Sequence, residues 1–280
     1  MEQLTINSTA ELSNGVKMPL FGFGAAEIAS AERDQVRIVR TAIEAGYRLL
    51  DTAAIYHTER GVGRAVKESG IPRDQFFIST KVWDGDARRG RKAIIQAFEE
   101  SLRRLETDYV DCLLFHWPVQ GKLIDTWHVM EDIYYSGRAR SLGISNVKRY
   151  HHMDIMQNCE IPAHVQQDDF NPYCMNDYNK MFCEEYGIHY EAFSPLTRGG
   201  VFGIETIRQL AEKYGKHPAQ IVLRWDIQHG VSTIPRSSSK EHIYSNADIF
   251  DFSLTEAEIA SIDALNEERA SNWDPDNFNF

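Results

Sequence analysis

The 280-residue sequence holds no apolar run approaching the ~20 residues of a membrane-spanning helix. Its first residues, MEQLTINSTAELSNGVKMPL, carry no basic segment leading into an apolar core of roughly 7–15 residues. Both features argue against insertion and export, so a cytoplasmic protein is expected. Cysteine is scarce: Cys112, Cys159, Cys174 and Cys183 form no C-x-x-C pair and show no regular spacing, which excludes a disulfide framework or a thiolate zinc site. Cys112 lies inside the apolar run from Tyr109 to Phe115 and reads as a small buried hydrophobe. Positive charge is also short, with Lys+Arg 30 against Asp+Glu 41 and a net charge of -11, which repels nucleic acid and anionic membrane surfaces. No low-complexity stretch, Pro- or Gly-rich linker or shift of composition divides the chain, so residues 1–280 are expected to form one domain. No broad apolar stripe is left for a partner, and a monomer is expected.

What the sequence does contain is alternation. Hydrophobic residues make up 42% and charged residues 25%, enough for a sizeable core. Short apolar or β-branched runs recur at 20–25, 47–52, 76–81, 109–116, 139–145, 164–170, 189–194 and 231–236. Stretches of helical period separate them. The clearest is 91–106, where Ile94, Phe98, Leu102 and Leu105 share a face and Glu99 and Glu100 precede Arg103 and Arg104 by four residues. Eight strand candidates, each followed by a helix candidate, predict an α/β protein with a (β/α)8 TIM barrel; an open doubly wound sheet is the alternative. Accessories are an N-terminal β-hairpin over 1–18 turning at Asn14-Gly15, auxiliary helices over 204–214, 218–229 and 255–265, and a tail over 266–280.

A parallel barrel places its active site at the carboxyl ends of the strands. Strand two ends at Asp51 and runs on to Tyr56, strand three ends at Lys81 and strand four at His116. Strand five ends at Ser145 and Asn146, strand six carries Gln166, and strand eight ends at Arg236 and Ser237. Each alone has an ordinary explanation as a helix cap, a solvated charge or a core histidine. Together they form a set of proton donors and cations at one mouth. The adjacent His151 and His152 point about 100° apart on a helix, lack a third ligand and read as a surface pair. The basic cluster from Arg88 to Lys92 reads as a solvated helix start. Gly61-Val-Gly63 lacks the third glycine of a Rossmann fingerprint.

The segment Tyr47-Arg-Leu-Leu-Asp51-Thr-Ala-Ala-Ile-Tyr56, with Glu59 and Gly63 following, resembles the aldo-keto reductase signature. The resemblance continues through Ser79-Thr-Lys81-Val-Trp83, Leu114-Phe-His116-Trp117-Pro118, Gly143-Ile-Ser145-Asn146, Phe193-Ser-Pro-Leu196 and Ile234-Pro-Arg236-Ser237. It is most similar to the microbial 2,5-diketo-gluconate reductase and prostaglandin F synthase-like branch. The resemblance implies an NAD(P)H-dependent oxidoreductase that reduces aldehydes, ketones or dicarbonyls without a metal. Tyr56 would be the general acid, Lys81 would lower its pKa, Asp51 would hold Lys81, and His116 would orient the carbonyl.

The resemblance also assigns the cofactor contacts. Ser145, Asn146 and Gln166 would hold the nicotinamide carboxamide, with Phe193 stacking on the ring beside Ser194 and Leu196. Arg236, Ser237, His242 and Asn246 would meet the adenosine end of NADPH. Arginine is common in this family where His242 stands, and glutamate where Ser245 stands. NADH is therefore expected as a second cofactor, with NADPH favoured more below about pH 6.5, where a free imidazole gains its proton. Trp83, Trp117 and Trp273 would line the substrate pocket, and Phe278 and Phe280 either fold over it or pack outside. Two other classes stay open: a nucleotide-sensing barrel without turnover, and a metal-dependent hydrolase or isomerase, for which only Asp51 and His116 offer ligands.

Overall fold

The computed structural model describes residues 4–271 and 274–277. Trp273, Phe278 and Phe280 lie outside the described residues. Short β-branched and apolar runs, each buried on both faces, form the parallel strands that such composition favours. Two antiparallel strands, β1 (Thr9–Glu11) and β2 (Lys17–Pro19), precede them. The barrel strands are β3 (Gly22–Gly24), β4 (Leu49–Asp51), β5 (Phe77–Val82), β6 (Cys112–Phe115), β7 (Leu142–Ser145), β8 (Val165–Asp169), β9 (His189–Phe193) and β10 (Ser232–Thr233). Each pairs in parallel with the next in sequence. The sheet closes where Phe21 bridges Thr233: the Thr233 N–H donates to Leu20 O at 2.9 Å and the Gly24 N–H to Pro235 O at 3.2 Å. This is the (β/α)8 barrel expected from the alternation, and every strand lies within its expected run except β5, which extends one residue past it to Val82.

The helices are α1 (Glu32–Glu44), α2 (Glu59–Glu68), α3 (Asp84–Arg89), α4 (Arg91–Leu105), α5 (Leu123–Tyr135), α6 (Arg149–Asn158), α7 (Asp177–Tyr186), α8 (Glu205–Tyr214), α9 (Pro218–Gln228), α10 (Lys240–Ala247) and α11 (Glu256–Asp263). On α4, Ile94, Phe98, Leu102 and Leu105 are buried as the period requires. α2 crosses the end of α4 so closely that a Cβ on Gly63 would lie 2.3 Å from Leu105 O, a contact only glycine avoids. Glu59, fully buried, fixes the same junction by accepting from Thr80 Oγ1 at 2.7 Å and Arg104 Nε at 2.6 Å. Thr255 and Glu258 cap α11 reciprocally, and Pro218 opens α9 at its first turn.

The hairpin closes the barrel floor. It turns at Asn14-Gly15, with Gly15 at φ +82, and its second strand runs one residue past the expected boundary. Leu12 and Met18 pack with Leu49, Phe77, Cys112, Leu114, Val165 and Ile234, so the amino ends of the strands are sealed by side chains. The opposite, carboxyl end is left open.

The histidine pair departs from expectation. His151 and His152 are both buried. His152 Nε2 lies 2.8 Å from Gln166 Oε1, and burial lowers its pKa to about 4, so it is a neutral hydrogen-bonding group between α6 and the barrel. His151 Nδ1 accepts the Lys148 N–H at 3.1 Å, a cap for α6. The basic cluster from Arg88 to Lys92 does face solvent, and Arg91 pairs with Asp132 at 2.6 Å.

Candidate active site

A cavity of about 510 Å³ opens at the carboxyl ends of the strands. Asp51 ends β4, Tyr56 closes the short helical turn Ala54–Tyr56, Lys81 sits near the end of β5 and His116 follows β6. The Lys81 ammonium donates to Asp51 Oδ1 at 2.8 Å, Asp51 Oδ2 at 2.6 Å and Thr52 O at 3.0 Å. It also lies 5.1 Å from the Tyr56 ring centroid. The Tyr56 hydroxyl is 3.2 Å from His116 Nε2. All four expected residues thus meet, with Asp51 and Lys81 forming the buried base and Tyr56 and His116 the upper layer.

The electrostatics follow from burial. Burial opposes the Lys81 ammonium, yet Asp51 and Tyr56 together hold its pKa above the ordinary value. Burial and the neighbouring Lys81 charge drive His116 well below the usual imidazole range, so it is neutral. Tyr56 corrects the expectation. Lys81 does act to lower its pKa, but burial, aided by Asp51, outweighs it and the phenol is raised. The main reason is that a buried phenolate loses its hydration, and the Asp51 carboxylate in contact with Lys81 partly cancels the field that would offset this.

The amide end also needs one correction. Asn146, in the left-handed conformation at φ 57, donates through Nδ2 to His116 O at 2.9 Å and Ser145 Oγ at 3.0 Å. Gln166, however, turns outward to His152 and to Cys183, whose Sγ donates to its Oε1 at 2.9 Å. Gln167 lines the cavity instead. Side chains alternate along β8, and Val165 is in the floor cluster, so 165 and 167 point inward while 166 points at the helices. That alternation was available in the sequence and identifies Gln167.

Phe193, Ser194 and Leu196 line the wall, and Arg236, Ser237, His242 and Asn246 line the far end with Ser245. Arg236 Nη1 donates to Glu27 Oε2 and Ala26 O, both at 3.0 Å. Trp117 is buried in the lining, whereas Trp83 is not among the lining residues and stands edge-on against His116 at 5.3 Å. The expected pocket contact of Trp83 is thus replaced by support of the imidazole. Glu27, Thr197 and Arg198 were not anticipated. Glu27 lies in a loop, and Thr197 and Arg198 open the kinked 3-10 segment Thr197–Gly203, where neither period nor motif marks them. Glu27, Asn146, Ser194, Thr197 and Arg198 are five of the nine non-glycine residues with positive φ among the described residues, so backbone strain concentrates on this cavity.

The cavity suits a nicotinamide dinucleotide on its own chemistry. It combines a cluster of amides and hydroxyls, an aromatic face and a cationic far end. His116 Nδ1 and Thr197 Oγ1, both on its wall, are buried polar atoms without a partner among the described residues.

A buried Lys-Asp pair thus lies beneath a tyrosine and a neutral histidine at the mouth of a parallel barrel. Residues 20–267 match the model of the aldo/keto reductase family. Glyoxal reductase of Bacillus subtilis is 42% identical over 276 residues, covering 99% of both chains. The 9,11-endoperoxide prostaglandin H2 reductase of Trypanosoma cruzi is 42% identical over 270 residues, covering 95% of this chain and 94% of its own. A Bombyx mori aldo-keto reductase solved in complex with NADP superposes with a TM-score of 0.88 at 31% identity, covering 98% of this chain and 97% of that one. The chain belongs to the aldo/keto reductase family and is an oxidoreductase. Among the described residues, no helix is long and apolar enough to cross a membrane.

Proposed function

We propose that this protein reduces small aldehydes and α-dicarbonyl compounds to alcohols with NADPH, accepting NADH as a second cofactor, and that Tyr56 is the general acid. The observation that carries this is the Tyr56 hydroxyl, 3.2 Å from His116 Nε2, with its ring 5.1 Å from the Lys81 ammonium, opening into the cavity that holds the amide cluster. NADPH, when bound, supplies the hydride. Ser145, Asn146 and Gln167 would hold its carboxamide, Phe193 would stack on its ring, and Arg236, Ser237, His242 and Asn246 would take its adenosine end.

The protein's own part is the proton. A phenol with a raised pKa stays protonated at rest and yields its proton only when an alkoxide, a stronger base, forms within hydrogen-bond reach. Tyr56 then becomes phenolate beside Lys81, whose charge stabilises it. Neutral His116 donates a hydrogen bond to the carbonyl oxygen and keeps its own proton, fixing where the oxygen sits. Trp117 supplies apolar wall for a small substrate. The name of the B. subtilis relative favours glyoxal-type substrates as the first panel.

The test is loss of reduced-nicotinamide absorbance with glyoxal, methylglyoxal and simple aldehydes, using NADPH and NADH separately. Turnover of the dicarbonyls is expected. Tight NADPH binding without any turnover would instead make the protein a nucleotide-binding barrel. His242→Arg addresses the cofactor end: His242 is exposed at the rim, and Arg236 already shares its charge with Glu27. An added guanidinium should raise the NADPH-over-NADH ratio of kcat/KM by about tenfold. An unchanged ratio would remove position 242 from the phosphate contact.

A further inference from the structure

Beneath the catalytic four, the barrel interior holds a carboxyl that the proposed chemistry does not use. Glu191 lies in the middle of β9 and is fully buried, two residues before Phe193 and in the same inward phase. One amide ties it to the site: Gln167 Nε2 donates to Glu191 Oε2 at 2.6 Å and to Asp51 Oδ2 at 3.0 Å. An amide nitrogen carries two hydrogens, so both are committed, and Gln167 has only its carbonyl oxygen left to offer the cavity. Asp51 could not fix this orientation alone. With one N–H held, the plane of the terminal amide can still tilt about a broad torsion, so the direction of its oxygen is not fixed.

The electrostatic setting is equally specific. Glu191 Oε1 is buried with no partner among the described residues. The titratable groups facing Glu191 are Asp51 on β4, Lys81 on β5 and Cys112 on β6. Burial and the Asp51 charge push the Glu191 carboxyl up to about 8, so it is neutral at pH 7 and becomes a carboxylate in mildly alkaline solution. Ionised, it adds a second negative charge near Lys81. The ammonium is then held more firmly by carboxylates and does less for a phenolate at Tyr56.

We propose that Glu191 is a positioning residue. It locks the Gln167 amide with its oxygen toward the nicotinamide end of the cavity. This rests on the reductase reading above. Glu191 acts through Gln167 and touches no reacting atom.

The test compares wild type with Glu191→Gln and Glu191→Leu in two measurements: affinity for NADPH by fluorescence titration and affinity for adenosine 2′,5′-bisphosphate. In Glu191→Gln the new amide oxygen still accepts the Gln167 N–H but cannot ionise. NADPH affinity should stay within about twofold of wild type. Glu191→Leu leaves a buried N–H unmatched and the amide free to turn, so NADPH should bind about tenfold more weakly. The bisphosphate, which has no nicotinamide, should bind as before. Equal NADPH affinity in Glu191→Leu, parallel loss of bisphosphate affinity, or an equal loss of NADPH affinity in Glu191→Gln would each overturn the proposal. Absence of turnover in the wild type would instead strike the reductase reading, and the two affinities would still judge Glu191.

Discussion

Tyr56→Phe should lower turnover by about 10²–10⁴-fold while NADPH affinity changes by no more than about twofold. The substitution removes one hydroxyl and leaves the ring that packs 5.5 Å from the His116 ring and over the Lys81 ammonium, so the site keeps its shape. What is lost is the hydroxyl that lies at hydrogen-bond distance from His116 Nε2 and is proposed to deliver the proton. His116 is a poor substitute. Burial and Lys81 keep it neutral, and a neutral imidazole is a far weaker acid than a phenol. Single-turnover absorbance traces with saturating NADPH separate the two effects. Retention of more than about a tenth of the wild-type rate would place the acid elsewhere.

Lys81→Met should do comparable damage to turnover and, in addition, destabilise the fold by about 3–5 kcal/mol, because it leaves Asp51 as an uncompensated charge in the barrel interior. Asp51 would keep its bonds from Ser79 Oγ at 2.9 Å and Gln167 Nε2 at 3.0 Å, but neither partner carries charge. The double substitution Lys81→Met with Asp51→Asn distinguishes the roles. Stability should return to within about 1 kcal/mol of wild type, since charge and countercharge leave together, whereas turnover should not recover. Urea unfolding midpoints and kcat, measured on the same three proteins, read this directly. Recovery of turnover in the double variant would mean that Lys81 serves the fold alone.

The parts of the molecule that sequence reveals are those where periodicity or chemistry forces one residue type. Eight apolar runs separated by helical stretches favour a barrel over an open sheet, and Asp51, Lys81 and His116, each with an ordinary use alone, point to chemistry because they end successive strands together. The Tyr47–Gly63 segment turns out to be partly architectural. The Tyr47 hydroxyl donates to Ile243 O at 3.0 Å, Glu59 joins β5 to α4, and Gly63 admits α4. Gln166 was misplaced because two adjacent glutamines offer the same chemistry and only strand phase distinguishes them. His152 appeared superficial because a polar residue on a short helix gives no sign of which face packs. Arg198 and Glu27 could not be found at all, since loop conformation is set by three-dimensional closure and not by a repeat. The direction of the Tyr56 shift was misjudged for a related reason: motif residues reveal which charges are near, but burial decides which of them prevails.

The seam of the barrel has a consequence for synthesis. The partner of β3 is a two-residue strand more than two hundred positions later, and the last barrel hydrogen bonds join Leu20 and Gly24 to residues 233 and 235. While the chain is being made, β3 exposes one row of unpaired peptide groups, and β9 soon exposes another. Neither row can be covered until residue 235 has left the ribosome, and at roughly 5–20 residues per second β3 waits some ten seconds or more. During that interval the growing molecule is an open parallel sheet with two adhesive margins. Cellular yield should therefore respond to chaperone supply more than the finished barrel's resistance to denaturant would suggest.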